Sequence, residues 1–380
     1  MASRTNPVLD TRALNRATLA RQLLLSRAEM SPEDAVAHLL GLQAQNVKPP
    51  YFQLHARLAG FRPEALGRLM EERKVVRMVT MRSTIHTHTV RDALVLRPLV
   101  QGARDREVGY FRKGLVGVDL ERLAHRARAF VEAEPRTMGE IREDLLREWP
   151  SADPQSLAVA ARCLLPLVQV TPRGVWGRSG QVRLTSLECW VGGDAAGGGA
   201  GEGIDDVVLR YLGAFGPASV KDMQTWAGLT RLREAFERLR PRLVTFRDEN
   251  GVELFDLPDA PRPDAGTPAP PRFLPEYDNL LLSHADRSRV IPPEAKGRSW
   301  TGNQAHCTLL VDGFLAGLWR IDGTGDTRGT RDTGERPRLT VELFGTQSRA
   351  RKDEIAAEGE ALLAGMGGAP GDVRFGSIHG

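Results

Sequence analysis

A chain of 380 residues, 41% hydrophobic and 26% charged, has the composition of a folded globular protein and the length for two to four domains. Its apolar runs are too short for a membrane-spanning helix, which excludes channel and transporter functions of that kind, and MASRTNPVLD lacks the apolar centre of a secretory leader. Cys163, Cys189 and Cys307 stand far apart, which excludes a disulfide frame and a Cys-x-x-Cys metal site and suggests a reducing, cytoplasmic setting.

Residues 10 to 30 read as a helix around Leu23-Leu24-Leu25. SPEDAVAHLLGLQAQNVKPPY, Ser31 to Tyr51, opens as another. Ser31 can cap it, Pro32 suits the first turn and Asp34 completes a capping-box spacing. Val36, Leu39 and Leu40 form one apolar face, and the next position on that face is Gln43. Pro49-Pro50 is expected to stop the helix, so Gln43 and Gln45 are predicted at a helix end with at least one amide pointing inward. Taken alone, such a pair is more often a polar tie for a loop than a reactive centre.

PPYFQLHARL and RPEALGRLMEERK give two short helical patterns, and VVRMVTMRSTIHTHTV alternates as two strands about a Met81-Arg82-Ser83 turn. The order recurs twice. Leu120 to Glu132, a Thr137-capped helix and DPQSLAVAARCLLPLVQVT lead to a hairpin expected to turn at Gly180. VVLRYLGAFGPAS, a helix closed by Gly228 and TRLREAFERLRPRL lead to a hairpin at Asn250-Gly251, a strong turn signal. The predicted fold is therefore α+β: winged-helix units over 10–116, 117–191 and 204–257, then a β-rich region over 272–367 ending in a helix. GGDAAGGGAGEG reads as a flexible linker and PDAPRPDAGTPAPP as an extended one. The stretch DGTGDTRGTRDTGERPR reads as a polar loop, and the tail after Gly367 as mobile.

The net charge of +4 is the remainder of 52 basic and 48 acidic groups, but its distribution is uneven. From Arg73 to Lys113 ten basic residues face three acidic ones, a net +7, which leaves −3 for the rest of the chain. Such a stripe suits phosphates, and equally a solvated helix face. No Walker loop, HExxH or GxSxG occurs. His86 and His88 share one side of a strand, but no third ligand accompanies them, so they read as groove-lining residues and no metal or cofactor is expected. Winged helices most often bind duplex DNA, which makes a non-catalytic regulator the default function.

LLGLQAQNVKPPYFQLHARL, VVRMVTMRSTIH, YLGAFGPASVKDMQTWAGL and LPEYDNLLLSHADRSRVI together resemble the AlkZ/YcaQ family of DNA glycosylases, over roughly residues 10 to 345. The resemblance implies three tandem winged helices with a C-terminal β domain, and excision of N7-alkylated purines with opening of some interstrand crosslinks. Gln43 and Gln45 match the Gln-x-Gln motif of the AlkZ branch; the YcaQ branch has Gln-x-Asp there. AlkZ-branch members often protect antibiotic producers from their own DNA alkylators. The implied protein acts on double-stranded DNA carrying alkylated purines, at the nucleoid; a monomer is the default where the sequence gives no sign of assembly. Gln45 is assigned to positioning water, and Gln43 to orienting it or contacting the sugar. Arg82, His86, Arg287 and Arg289 are the candidate DNA contacts. Lys48, close to the motif, leaves a Schiff-base lyase route open.

Overall fold

The computed structural model describes residues 6–192, 202–322, 337–366 and 371–378, a mixed arrangement of helices and sheets. The linker predicted over 192–203 and the polar loop over 322–338 fall largely outside the described residues.

The first unit begins with helices Thr11–Arg21, capped by the Asp10 carboxylate, and Pro32–His38, capped by Ser31. The second helix stops sooner than its apolar face suggested. Leu40 and Gly41 take positive φ values of 56° and 98°, and the chain turns into a short strand, β1 (Leu42–Gln43). A Cβ at residue 41 would lie 2.2 Å from Nδ1 of His88, so this turn admits glycine alone. Gln43 thus lies on a strand rather than at a helix end. Pro49 and Pro50 start the helix Pro49–Arg57 instead of ending one, because first-turn N–H groups have no partner inside a helix to lose.

Helix Pro63–Glu71 leads to β2 (Val75–Val79) and β3 (Ile85–Thr89), joined by the tight turn Met81–Ser83. Helices Val90–Leu99 and Gln101–Tyr110 follow. The second unit has helices Leu120–Ala133, Met138–Glu148 and Pro154–Leu164, with the expected Thr137–Glu140 capping box. Its strands are β4 (Leu167–Gln169) and β5 (Leu184–Ser186). They are joined by a long irregular segment rather than a tight hairpin at Gly180, and they pair edge-on with β2 into one antiparallel sheet of order β1-β3-β2-β4-β5. The third unit comprises helices Ile204–Phe215, Val220–Ala227, closed by Gly228 at φ 70°, and Arg233–Leu239. Its hairpin, β6 (Val244–Arg247) with β7 (Glu253–Asp256), turns about Asn250-Gly251 as expected.

Beyond an extended segment come β8 (Arg272–Leu274), the ribbon β9 (Trp300–Thr301) and β10 (Gln304–Ala305), then β11 (Thr308–Val311), β12 (Phe314–Asp322) and β13 (Arg338–Leu343). Helix Arg349–Gly365 packs on this sheet, and the end of the chain adds β14 (Asp372–Phe375) parallel to β13. Residues 372–375, expected in a mobile tail, are therefore an edge strand. This region is not a separate body. One apolar core joins Val36, Leu39 and Leu54 of the first unit to Phe273, Trp319, Ile355 and Leu362. The second unit keeps its own core, of Leu123, Ile141, Leu145 and Leu157 among others. β1, an edge strand of the first sheet, thereby sits against the C-terminal region.

Candidate functional site

The backbone around β1 is bonded at almost every residue by side chains from elsewhere. Asn279 donates to the carbonyl of Gly41 at 2.7 Å, Gln53 to that of Gln43 at 3.0 Å, and Arg77 to that of Ala44 at 2.9 Å. The sheet supplies the rest, with Gln43 opposite His86 and the Ala44 N–H donating to the Ile85 carbonyl at 2.7 Å. One turn further, Asn46 donates to Glu276 at 2.9 Å. The fully buried Arg57 guanidinium meets both oxygens of the equally buried Asp278, at 2.7 and 2.8 Å. PEYDN, residues 275–279, thus clamps the glutamine segment from outside the first unit. Burial pushes the Arg77 guanidinium down to about 10, still cationic at neutral pH.

The two glutamines differ. Gln43 is 4% exposed and its Oε1 accepts from Nη2 of Arg82 at 2.6 Å. A guanidinium has only donors, so this contact fixes which end of the amide is oxygen and turns the Gln43 NH₂ the other way. Gln45 is exposed, and its Oε1 takes a longer bond of 3.3 Å from the Ile85 N–H, leaving one carbonyl lone pair and the NH₂ for other partners. The site therefore presents one rigidly held amide and one open amide two residues away. Among the described residues no carboxylate is hydrogen-bonded to either.

Arg82 occupies the β2–β3 turn at φ 53° and is half-buried. One arm of its guanidinium bonds Gln43; the other donates to the Trp226 carbonyl at the C-terminal end of helix Val220–Ala227, where a cation is favoured. Burial, with the nearby Arg287, lowers Arg82 to about 10. Arg287 is half-buried, its backbone carbonyl accepts from the N–H groups of Val290 and Ile291, and its side chain has no hydrogen bond or ion pair among the described residues, so its charge adds to that of Arg82 near Gln43.

Two of the expected DNA contacts lie elsewhere. His86 is 1% exposed, with Nδ1 3.0 Å from the Thr84 carbonyl and Nε2 3.4 Å from Arg82. Nδ1 therefore carries the proton, and burial and the adjacent Arg82 hold the ring neutral, well below the usual histidine range. His86 backs the Arg82–Gln43 pair instead of facing solvent. His88, stacked on it with centroids 5.4 Å apart, is equally buried, so neither ring lines a groove. No group of three or more metal-ligating side chains occurs among the described residues. Arg289 is 5% exposed and donates to the Pro217 carbonyl at 2.8 Å, tying the third unit to the C-terminal region. Its polar pattern in sequence matched a surface arginine; its apolar neighbours Val290 and Ile291 were the signal for burial.

The basic stripe is largely consumed inside the protein. Arg77, Arg97 and Arg104 are buried, Arg91 pairs with Glu202, and Arg73 stacks on Trp190. Arg106, Arg112 and Lys113 remain exposed without an ion pair among the described residues, beside Tyr110, which is 83% exposed. Arg106 lies on, and Arg112 and Lys113 follow, the helix whose Glu107 accepts from Ser83 at 2.9 Å, so they flank the Arg82 turn. Residues missed by sequence reasoning were Gln53, Arg57 and Arg77 in the first unit, and Glu276, Asp278 and Asn279 far along the chain.

A family model described as DNA glycosylase AlkZ-like matches residues 36–364. The interstrand DNA cross-link repair glycosylase of Streptomyces sahachiroi is 24% identical over 330 residues, which span 80% of this chain and 85% of the relative. The solved structure of the Streptomyces sahachiroi DNA glycosylase AlkZ superposes with a TM-score of 0.76 at 19% identity, covering 97% of this chain and 100% of that one, and so shares its fold.

Proposed function

Because the chain belongs to the DNA glycosylase AlkZ-like family, we propose that it hydrolyses the N-glycosidic bond of N7-alkylguanine in double-stranded DNA, guanines held in interstrand crosslinks included. We read its three helix-and-strand-pair units as winged helices, and its biological role as self-resistance to a DNA alkylator through base excision. The observation that carries the reading is the pair of amides itself: a clamped Gln43 and an open Gln45, with no carboxylate bonded to either among the described residues.

An ordinary base needs a general acid to leave and a carboxylate to direct water. N7-alkylguanine is already cationic. When the C1′–N9 bond breaks, the bonding pair goes to the base, which departs neutral, and the positive charge passes to the sugar. The remaining tasks are to place water against C1′ and to favour the sugar cation. The free lone pair of the Gln45 carbonyl can hold that water by one of its hydrogens, and the proton released after attack passes to solvent. Arg82, by fixing the Gln43 carbonyl, keeps the second amide from rotating as charge develops. An amide cannot retain a proton, so the enzyme acts on cationic, labile lesions and spares normal bases. The open position of Gln45 suits a guanine tethered to both strands, which cannot be drawn into a deep pocket. Arg287, Arg106, Arg112 and Lys113 are assigned to backbone phosphates.

The test is a single-turnover assay on a duplex with one N7-alkylguanine, abasic sites being read as alkali-labile breaks. Wild type releases the base, and Gln45→Ala retains duplex affinity but loses at least about a hundredfold in rate, the scale of removing a preorganised polar group. Unchanged release by Gln45→Ala sinks the assignment. Absence of release above the spontaneous rate by wild type leaves a DNA-binding regulator.

A further inference from the structure

The third unit has the element order of a DNA reader without the charge of one. Residues 204–257 hold eight basic and nine acidic side chains, a net −1, where the stretch from Arg73 to Lys113 carries +7. A reader of that kind lays a helix in a groove and neutralises phosphates with free Lys and Arg. Here the helix before the hairpin, Arg233–Leu239, pairs its arginines inside the unit: Arg233 with Glu237 and Glu253 at 3.4 and 3.6 Å, Arg238 with Asp205 at 2.6 Å. Arg240, just beyond it, is held by Glu237 and Glu253 in the same way. A phosphate approaching this face meets carboxylates already in place.

What the unit does press against is the β2–β3 turn. Leu40 and Met81 of the first unit share one apolar core with Tyr211, Phe215, Met223 and Trp226 of the third. The Trp226 carbonyl takes one arm of Arg82, whose other arm holds Gln43. Two residues on, Gly228 ends the same helix at φ 70°, and a Cβ there would lie 3.0 Å from the Arg82 backbone nitrogen and 3.2 Å from its Cα. The other end of the helix is tied down as well, since the Asp222 carboxylate accepts from the Ala285 N–H at 2.9 Å. We infer that the third unit supports the reactive amide instead of reading DNA, with Gly228 as the positioning residue that lets the helix end close on Arg82; this rests on the glycosylase reading above. A side chain at 228 forces the turn back by a few tenths of an ångström, and the guanidinium that fixes the Gln43 carbonyl moves with it. A 1 Å misplacement can cost about a hundredfold in rate, so a shift of this size should cost about threefold to tenfold.

The experiment uses the full chain and measures single-turnover release of N7-methylguanine at saturating enzyme, with duplex affinity measured separately. Gly228→Ala and Gly228→Asn are compared with Gly251→Ala, which alters a glycine of the same unit at φ 78° whose Cβ would meet nothing within 4 Å among the described residues. Asn tolerates positive φ, so its variant keeps the contact with little backbone strain and carries the test if the alanine variant fails to fold. Both Gly228 variants are expected to slow release by about threefold to tenfold at unchanged duplex affinity, while Gly251→Ala releases at the wild-type rate. The double variant Arg233→Gln with Arg238→Gln is expected to keep the wild-type slope of log affinity against log salt. Wild-type release by folded Gly228 variants, equal slowing by Gly251→Ala, or a slope shallower by about 0.9 for each arginine removed overturns the supporting role and leaves the glycosylase reading standing. Failure of wild type to release the base overturns both.

Discussion

The first and second units both run from helices into an antiparallel strand pair, yet their interiors are built differently. In the second, Leu123, Val131, Ile141, Leu145 and Leu157 meet in an apolar core, and Arg126, Asp144 and Glu148 pair towards the surface. In the first, the space around β1 holds Gln53, Arg57, Arg77, Thr80, His86 and His88, all buried. Apolar packing stabilises a fold but tolerates small slides, because it has no direction. Hydrogen bonds to named carbonyls do not tolerate them. The unit that must hold two amides in register fills its interior with directional contacts, and the second unit fills its own mainly with apolar ones.

The strongest way to break this contrast is Arg57→Leu, which leaves the Asp278 carboxylate buried and unpaired and is expected to cost about 3–5 kcal/mol. Arg126→Ala, at a part-exposed pair of the second unit, is expected to cost no more than about 1 kcal/mol. Urea unfolding of both variants checks this, and equal losses would erase the distinction. Leu157→Ala sharpens it from the other side. Stability drops by about 2–5 kcal/mol, while base release below the melting range stays at the wild-type rate, because no bond to the glutamine segment is touched. Gly41→Ala should cost about 1–3 kcal/mol through backbone strain, yet reduce base release at least tenfold, by about 1.4 kcal/mol or more of barrier, since β1 must move away from His88.

Acid offers a milder probe. Burial lowers His88 to about 4 and moves His86 in the same direction, against an unfolded value near 6.5. Between those values the unfolded chain binds protons that the folded one refuses. The contribution of these rings is therefore complete above about pH 6.5 and drains as pH falls towards about 4. Amide exchange at pH 7 and pH 5 should show protection lost around β1–β3 while helices Leu120–Ala133 and Pro154–Leu164 keep theirs. The smallest effect is expected from the triple change of Arg106, Arg112 and Lys113 to Gln. The slope of log affinity against log salt should shallow by about 0.9 for each phosphate that is no longer neutralised.

Much of the architecture was legible because it is written in local signals. Ser31 and Thr137 cap where their spacing says, Asn250-Gly251 turns, and helix faces follow their apolar periods. Gln43 and Gln45 stood out because a carboxamide replaced a hydrophobe on an apolar stripe. Their backbone was misread, since the helix stops at Leu39 as Leu40 and Gly41 turn to positive φ beside His88, a residue distant in sequence, and a Pro-Pro pair marks a helix start as well as a stop. Arg289, His86 and most of the basic stripe went wrong for one reason. A cationic or polar residue that donates to a buried carbonyl looks in sequence like one that faces water. The partners that clamp the glutamines were invisible as a site, because Glu276, Asp278 and Asn279 meet the glutamine segment only after the whole chain has folded.

That last group of bonds orders events in time. Asn279 reaches Gln43 across 236 positions, Glu276 reaches Asn46 across 230, and Asp278 reaches Arg57 across 221. Chains are made from the N-terminus, and early domains fold as they emerge. The glutamines therefore leave the ribosome long before the residues that shape them. A nascent or truncated chain ending at 257 carries the motif, the β2–β3 turn and all three helical units, but not the clamp. It also lacks Phe273, Trp319, Ile355 and Leu362, which complete the core of the first unit, so on the proposed reading base release waits until translation has delivered the C-terminal sheet.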